Sequence, residues 1–538
     1  MLKTLRSRAA VLALAASLLA PAAAVAQTRT LDLDHASIAD IGAALDAGTL
    51  TVEQLVQMCL DRVKAYDEQG PKLNAVITLN PKALDTARAL DVERKSTGRR
   101  SALFGIPVVL KDNFDTADMQ TSGGSVLLEG SLPPDDAFIV KQLRDAGAII
   151  LAKVNMSEFA SGSTHSSLGG QSLNPHDLAR TPSGSSGGTG VAVAAAYAPL
   201  GFGTDTGGSI RGPSTTNGVV GLKPTHGLVS RDGIIPLALS FDTGGPLARH
   251  VADIAAVLEV IAGPDPADDA TKKIGDHPHA GYVAALDAGA LKGTRIGLAR
   301  DFMGQDAEVD WVVEAAVEAM KKAGATIVDV RYPRWLIDGM GDFYTAVRWP
   351  EFPVQIEQYL GTLKPGYPHN IDELIAKAEA FTSPRPDGAG PNPNRWSLFK
   401  QEKAAAGMDS YQYLSVHDHV LPAIRTVVDG LFADNRLDAI VYPTSPRRPG
   451  LIASDGGGGG GGGPSGTNIA NLTGYPDLIV PAGFTSDQLP VGLSFFGKAF
   501  DEARLLALGY SFEQATQARR QPVNTPSLPG EVIRVPQK

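Results

Sequence analysis

The sequence predicts an α/β fold: a single large domain whose central sheet is covered by helices on both faces. Three observations carry the prediction. Short apolar runs separated by glycine-rich turns alternate with helix-period segments from residue 106 onward, and the same texture returns after residues 294 and 439. No linker divides these blocks. Strands alternating with helices imply a sheet buried on both sides.

Taken in order, residues 37–66 read as two amphipathic helices, the second beginning at Thr51 after Gly48, with Gln54 placed to complete a capping box. Its apolar stripe of Leu55, Met58, Cys59 and Val63 puts the single cysteine in the core. One thiol cannot form an internal disulfide, so the fold rests on its core. A further helix is expected from Asn80-Pro81, a cap followed by proline at the first turn. Strands are expected at 106–110, 148–154, 199–202 and 219–222, with helices at 137–146 and 191–197 between them. Strands at 295–299 and 325–330 flank a helix around 312–322. Strands at 439–442, 478–480 and 491–496 precede a helix from Asp501 to about Ala515.

These elements fill a domain from 27 to 530, followed by a tail at 531–538. Residues 333–420, rich in aromatics, prolines and charges, read as an insertion that covers a site. The run Gly456 to Gly463, inside a stretch from 454 to 467, reads as a flexible loop. It is not a phosphate-binding loop, because no Lys-Ser/Thr follows it to meet phosphate and magnesium.

Lys3, Arg6 and Arg8 precede an apolar stretch from Ala9 to Leu19, and Ala24-Val25-Ala26 fits a small-residue cleavage site. Residues 1–26 therefore read as a secretory signal, and the expected location is periplasmic or secreted from a bacterium. The apolar stretch is too short for a spanning helix and Pro21 breaks it, so no stable membrane anchor is expected. The chain has 538 residues, 43% hydrophobic and 20% charged, with a formal net charge of −10. That charge disfavours nucleic acid and anionic membrane as partners.

The chemistry lies in three segments: GIPVVLKDN (105–113), GSSGG (184–188) and GTDTGGSIRGP (203–213). A serine attacking an amide needs a base, donors for the oxyanion and a proton for the leaving amine. The glycines before Ser209 let backbone N–H groups approach a substrate with no Cβ in the way, and a helix starting nearby aims further N–H groups at the same place. Lys111 closes an apolar strand, and burial beside hydroxyls would leave it a usable neutral amine. Asp112 points to the opposite face of that strand and need not pair with it.

Two rival readings fail on context. Gly184 to Gly188 also fits GxSxG with Ser186 as nucleophile, but the strand such an elbow requires is missing from the polar 173–181 stretch. His277-Pro278-His279 and His417-Asp418-His419 offer close histidine pairs, but a metal needs three or four convergent ligands. No metal and no cofactor are expected.

The three segments resemble, in order and spacing, those of the amidase signature family. From Lys111 to Ser185 is 74 residues and from Ser185 to Ser209 is 24. The resemblance continues through GVVGLKPTHGLVSRDGIIP (218–236), DTGGPLARHVADIAAVLEVIAG (242–263), GYPDLIVPAGF and LPVGLSFFG. It implies a mixed sheet and a hydrolase of carboxylic amide C–N bonds working through an acyl-enzyme. Carried over, it makes Ser209 the nucleophile, Lys111 the terminal base and Ser185, held by a cis peptide bond, the relay between them. Backbone N–H groups of Thr206, Gly207, Gly208 and Ser209 would form the oxyanion hole, while Gly184, Ser186, Asp205 and Arg211 would support the loops.

Within the family the chain is similar in character to exported bacterial peptide amidases, although DTGGSIRGP is the general family form. Small or peptide amides are the expected substrates, with aryl amides and esters as alternatives, and the enzyme is expected as a monomer or homodimer. A non-catalytic binding protein would lack one of the three reacting side chains. A tRNA-dependent amidotransferase component would work in the cytosol, which the export signal argues against.

Overall fold

The computed structural model describes residues 28–161, 164–452 and 465–536. The signal segment 1–26 and the run Gly456 to Gly463 lie outside the described residues.

Fifteen strands are present among the described residues. The first block contributes β1 (Thr28–Asp32), β2 (Val76–Leu79), β3 (Pro107–Lys111), β4 (Ile149–Val154), β5 (His165–Ser166) and β6 (Gly170–Gln171). Then come β7 (Leu200–Asp205), β8 (Val220–Lys223), β9 (Thr243–Ala248), β10 (Arg295–Ala299) and β11 (Thr326–Val330). The last are β12 (Ala439–Pro443), β13 (Asp477–Phe484), β14 (Pro490–Phe496) and β15 (Val532–Pro536). Eleven of them form one sheet in the order β11-β10-β12-β14-β13-β8-β9-β7-β3-β4-β2. Pairing is parallel at β3/β4, β3/β7, β10/β11 and β10/β12 and antiparallel elsewhere, so the sheet is mixed. Helices cover both faces, and the α/β class is as expected.

The expected strands fall within a few residues of those observed, and β10 spans the expected residues. Ser37 and Thr51 each close a capping box, with Asp40 and Gln54. Cys59 is fully buried, and burial pushes its thiol up to about 12. The third helix, Ala83–Thr97, starts later than Asn80-Pro81 suggested. Asn80 instead closes the turn before it, its Oδ1 accepting the Lys82 N–H at 2.9 Å.

Three expectations change. β9 was not foreseen, because Gly244, Gly245 and Pro246 dilute its strand pattern. The glycines answer to packing, since a Cβ at Gly245 would overlap the Leu222 carbonyl and one at Gly244 would crowd Ile139. The helix expected at 191–197 runs from Gly187 to Ala194, directly out of the GSSGG segment. A Cβ at Gly188 would collide with the Asn155 backbone, so glycine lets this helix lie against the end of β4. The expected tail is a strand: β15 pairs antiparallel with β1 from Asp32↔Val532 to Thr28↔Pro536, and Glu531 reaches the buried Arg62 at 2.6 Å.

Residues 333–420 are largely helical, over Arg334–Leu360, Ile371–Ala380, Pro393–Ala404 and Tyr411–Ser415. Phe352, Trp396 and Phe399 from these helices pack with Phe159 in a separate apolar cluster.

Candidate active site

β3 and β7 run parallel as neighbours, and their C-terminal ends carry Lys111 and the start of the serine loop. Lys111 is fully buried. Its Nζ lies 2.7 Å from Ser185 Oγ and 2.7 Å from Thr204 Oγ1. Asn113 Nδ2 donates to the same Thr204 hydroxyl at 3.1 Å. Asp112 faces the other way, as strand alternation predicted, and pairs with Lys153 at 3.2 Å and with Ser122. Among the described residues no carboxylate lies within ion-pair distance of Lys111. Burial therefore dominates and lowers its amine to about 7, against the weaker pull of Asp205 and Asp242.

Ser185 follows a cis peptide bond from Gly184, as the family resemblance implied. Its carbonyl accepts the Ser157 N–H at 3.0 Å. A Cβ on Gly184 would overlap Ser157 Oγ, so a side chain there would force that hydroxyl to turn away. Ser186 is buried, its hydroxyl donating to the Thr204 carbonyl at 3.2 Å and its N–H to the Ser209 carbonyl at 3.2 Å. Ser186 thus ties the two serine segments together, and no strand precedes it, so the elbow reading finds no support in the backbone.

Ser209 is half-buried and shares with Ser185 a cleft of about 420 Å³. Gly184, Gly207, Gly208 and Thr467 line it too, and Arg447 and Arg448 stand at its wall. Asp205 and Arg211 brace the loop. Asp205 accepts the N–H groups of Gly208 at 2.8 Å and Ile210 at 3.0 Å. Arg211 joins Asp205 at 2.9 Å and Asp477 at 3.0 Å, all three side chains being fully buried. Burial alone would raise the Asp205 carboxyl, but the Arg211 guanidinium holds it well below the usual carboxylate range.

Of the four expected oxyanion donors, Gly208 differs from the others in that its N–H donates to Asp205 at 2.8 Å. Among the described residues the N–H groups of Thr206, Gly207 and Ser209 meet no acceptor. Thr206 is anchored through its hydroxyl, which donates to Asp242 at 2.5 Å.

Several partners were not foreseen. Thr204 and Asn113 lie inside the quoted segments and were legible there. Asp242, Asn471 and Asp477 come from distant stretches, as does Tyr344, which packs so closely that a Cβ on Gly207 would stand 2.9 Å from its Oη. Arg348, on the same helix as Tyr344, donates to Ser161 at the cleft at 2.7 Å. The histidine pairs stay apart from the site: His277 stacks on Phe500 and His417 bonds Asp418. Among the described residues no three His, Cys, Asp or Glu side chains are grouped to hold a metal, and no helix is long and apolar enough to cross a membrane.

The sheet, the buried lysine and the two serine loops define a class, and comparison with known proteins agrees: the chain belongs to the amidase signature family and is an amide-hydrolysing enzyme. The family model described as Amidase matches residues 54–506. The chain is similar to the native peptide amidase of Stenotrophomonas maltophilia, with 40% identity and a TM-score of 0.83 over 91% of this chain and 98% of that one. It is also 37% identical to a subunit of glutamyl-tRNA(Gln) amidotransferase from Myxococcus xanthus, over 90% of this chain and 98% of that one. The structure of the same subunit from Thermotoga maritima aligns with a TM-score of 0.67 at 27% identity, covering 91% and 98% of the two chains.

Proposed function

We propose that the enzyme hydrolyses small amides, C-terminal peptide amides among them, by a Ser209–Ser185–Lys111 relay. The observation that carries this reading is the 2.7 Å contact between Lys111 Nζ and Ser185 Oγ, buried away from carboxylates and opening on the cleft that Ser209 lines. Neutral Lys111 offers its lone pair to the Ser185 proton, and Ser185 takes the proton of Ser209 as its Oγ bonds to the substrate carbonyl carbon. The oxyanion meets the N–H groups of Gly207, Ser209 and Thr206. The proton then returns through Ser185 to the amide nitrogen as the C–N bond breaks, leaving an acyl ester on Ser209. Water attacks that ester by the reverse path and releases the carboxylic acid.

The peptide-amide class is supported by the higher identity and TM-score to the peptide amidase than to the amidotransferase structure. Export, read from Lys3 to Ala26, is proposed with it. A panel of peptide, aliphatic and aryl amides and esters, assayed on the isolated chain for ammonia, amine or alcohol release, tests the reading. Turnover of peptide amides without any partner protein is expected. Activity only in the presence of added subunits would favour the amidotransferase alternative.

A further inference from the structure

Away from the catalytic cleft, a second cavity of about 240 Å³ lies between the loop at residue 226, the short helix Asp269–Ile274, the helix Leu421–Asn435 and the turn at 473–475. Lys273 and Arg425 line it, together with His226, Tyr475 and Phe500, and none of the lining residues is acidic. Lys273 is exposed and Arg425 half-buried, so the cavity opens to solvent with two cations on its wall.

Among the described residues neither Lys273 nor Arg425 makes an ion pair, although Asp429, one turn along from Arg425, accepts the Tyr475 hydroxyl at 2.8 Å. Lys273 Nζ meets the ring Nδ1 of His226 at 2.9 Å, a neutral acceptor. The opposite ring nitrogen lies 2.8 Å from the Leu239 carbonyl, which fixes the proton there. Burial, with Lys273 and Arg231 beside it, holds the His226 imidazole well below its usual range, so it is neutral. Arg425 spends only Nε, on the Thr473 carbonyl at 3.1 Å, and among the described residues its two terminal nitrogens meet no acceptor. Arg231, behind His226, is by contrast paired with Asp268 at 2.5 Å. Burial first, and then Arg425 and Arg231, pull the Lys273 amine below its usual range, while Asp268 pulls it back.

We infer that this cavity is a binding site for a small oxyanion, a carboxylate or phosphate group held between the Arg425 fork and the Lys273 ammonium. A guanidinium with both terminal nitrogens free matches two oxygens of such a group, and the lysine supplies a point charge. Tyr475 and Phe500 offer aromatic surface to whatever carries the anion. The site does not depend on the relay mechanism.

Calorimetric titration of the full chain with orthophosphate and, separately, acetate at constant ionic strength tests it, using Lys273→Gln, Arg425→Gln and the double variant. One equivalent should bind the wild type, with affinity falling roughly tenfold or more in each single variant, as loss of a charge-assisted pair implies. Binding of phosphate alone or acetate alone would identify the group. Absence of binding by both anions, or equal affinity in wild type and double variant, would overturn the assignment. Thermal melts of each variant confirm that the fold is retained.

Discussion

Lys111 Nζ lies 2.7 Å from Ser185 Oγ in a fully buried setting, with no carboxylate at ion-pair distance among the described residues. A lysine so placed gives up its proton more readily than an exposed one, as the proposed relay requires.

The pH dependence follows in sign. The amine is lowered to about 7, and the proposed relay needs it neutral, so kcat/KM should be flat in mild alkali and fall as pH drops below about 7. Well below that value the loss approaches tenfold per pH unit. A pH–rate profile on a neutral amide substrate checks this; a profile flat from 5 to about 9 would contradict a lysine base.

A side chain at Gly184 should disturb the site, because a Cβ there overlaps Ser157 Oγ. Gly184→Ala is expected to cost roughly 100-fold in kcat by displacing the Ser185 hydroxyl. Adding Ser157→Ala removes the obstructing oxygen and should restore part of the loss. Steady-state kinetics of the single and double variants separates this steric account from a general loss of folding.

Arg211 neutralises two buried carboxylates, Asp205 and Asp477. Arg211→Met should destabilise the protein by about 3–5 kcal/mol, since it leaves both charges without their partner. Asp205→Asn in the same background should recover part of that. Urea unfolding measures both; a loss below 1 kcal/mol for Arg211→Met would show that the pair is not structurally needed.

Truncation after Gly530 removes β15 and takes Glu531 from the buried Arg62. A loss of roughly 3–5 kcal/mol is expected from the broken ion pair alone, and Glu531→Gln should cost less because its side chain still accepts a hydrogen bond. Unchanged melting of the truncated chain would mean that the closing strand is dispensable.

Much of this was legible in the chain because the signals are local. Strands such as Arg295–Ala299 announce themselves by apolar runs, and Thr51 with Gln54 marks a helix start within four residues. The three segments that carry Lys111, Ser185 and Ser209 were legible because strand ends and glycine turns have compositional signatures. β9 was hidden because its residues are chosen for close approach to neighbouring strands and not for propensity. β15 was hidden because its partner lies at the other end of the chain. The contacts of Tyr344 with Gly207 and of Asn471 with Arg211 join residues more than a hundred positions apart, and no local pattern encodes them.

The central claim is that Ser209 carries the acyl group and depends on Ser185 and Lys111. Labelling the folded enzyme with a fluorophosphonate and locating the adduct by peptide mass spectrometry tests it most directly. Modification of Ser209 is predicted, abolished in Ser209→Ala and slowed by roughly 10²–10⁴ in Ser185→Ala and Lys111→Ala. An adduct on Ser185 or Ser186, or amide turnover retained by Ser209→Ala, would contradict it.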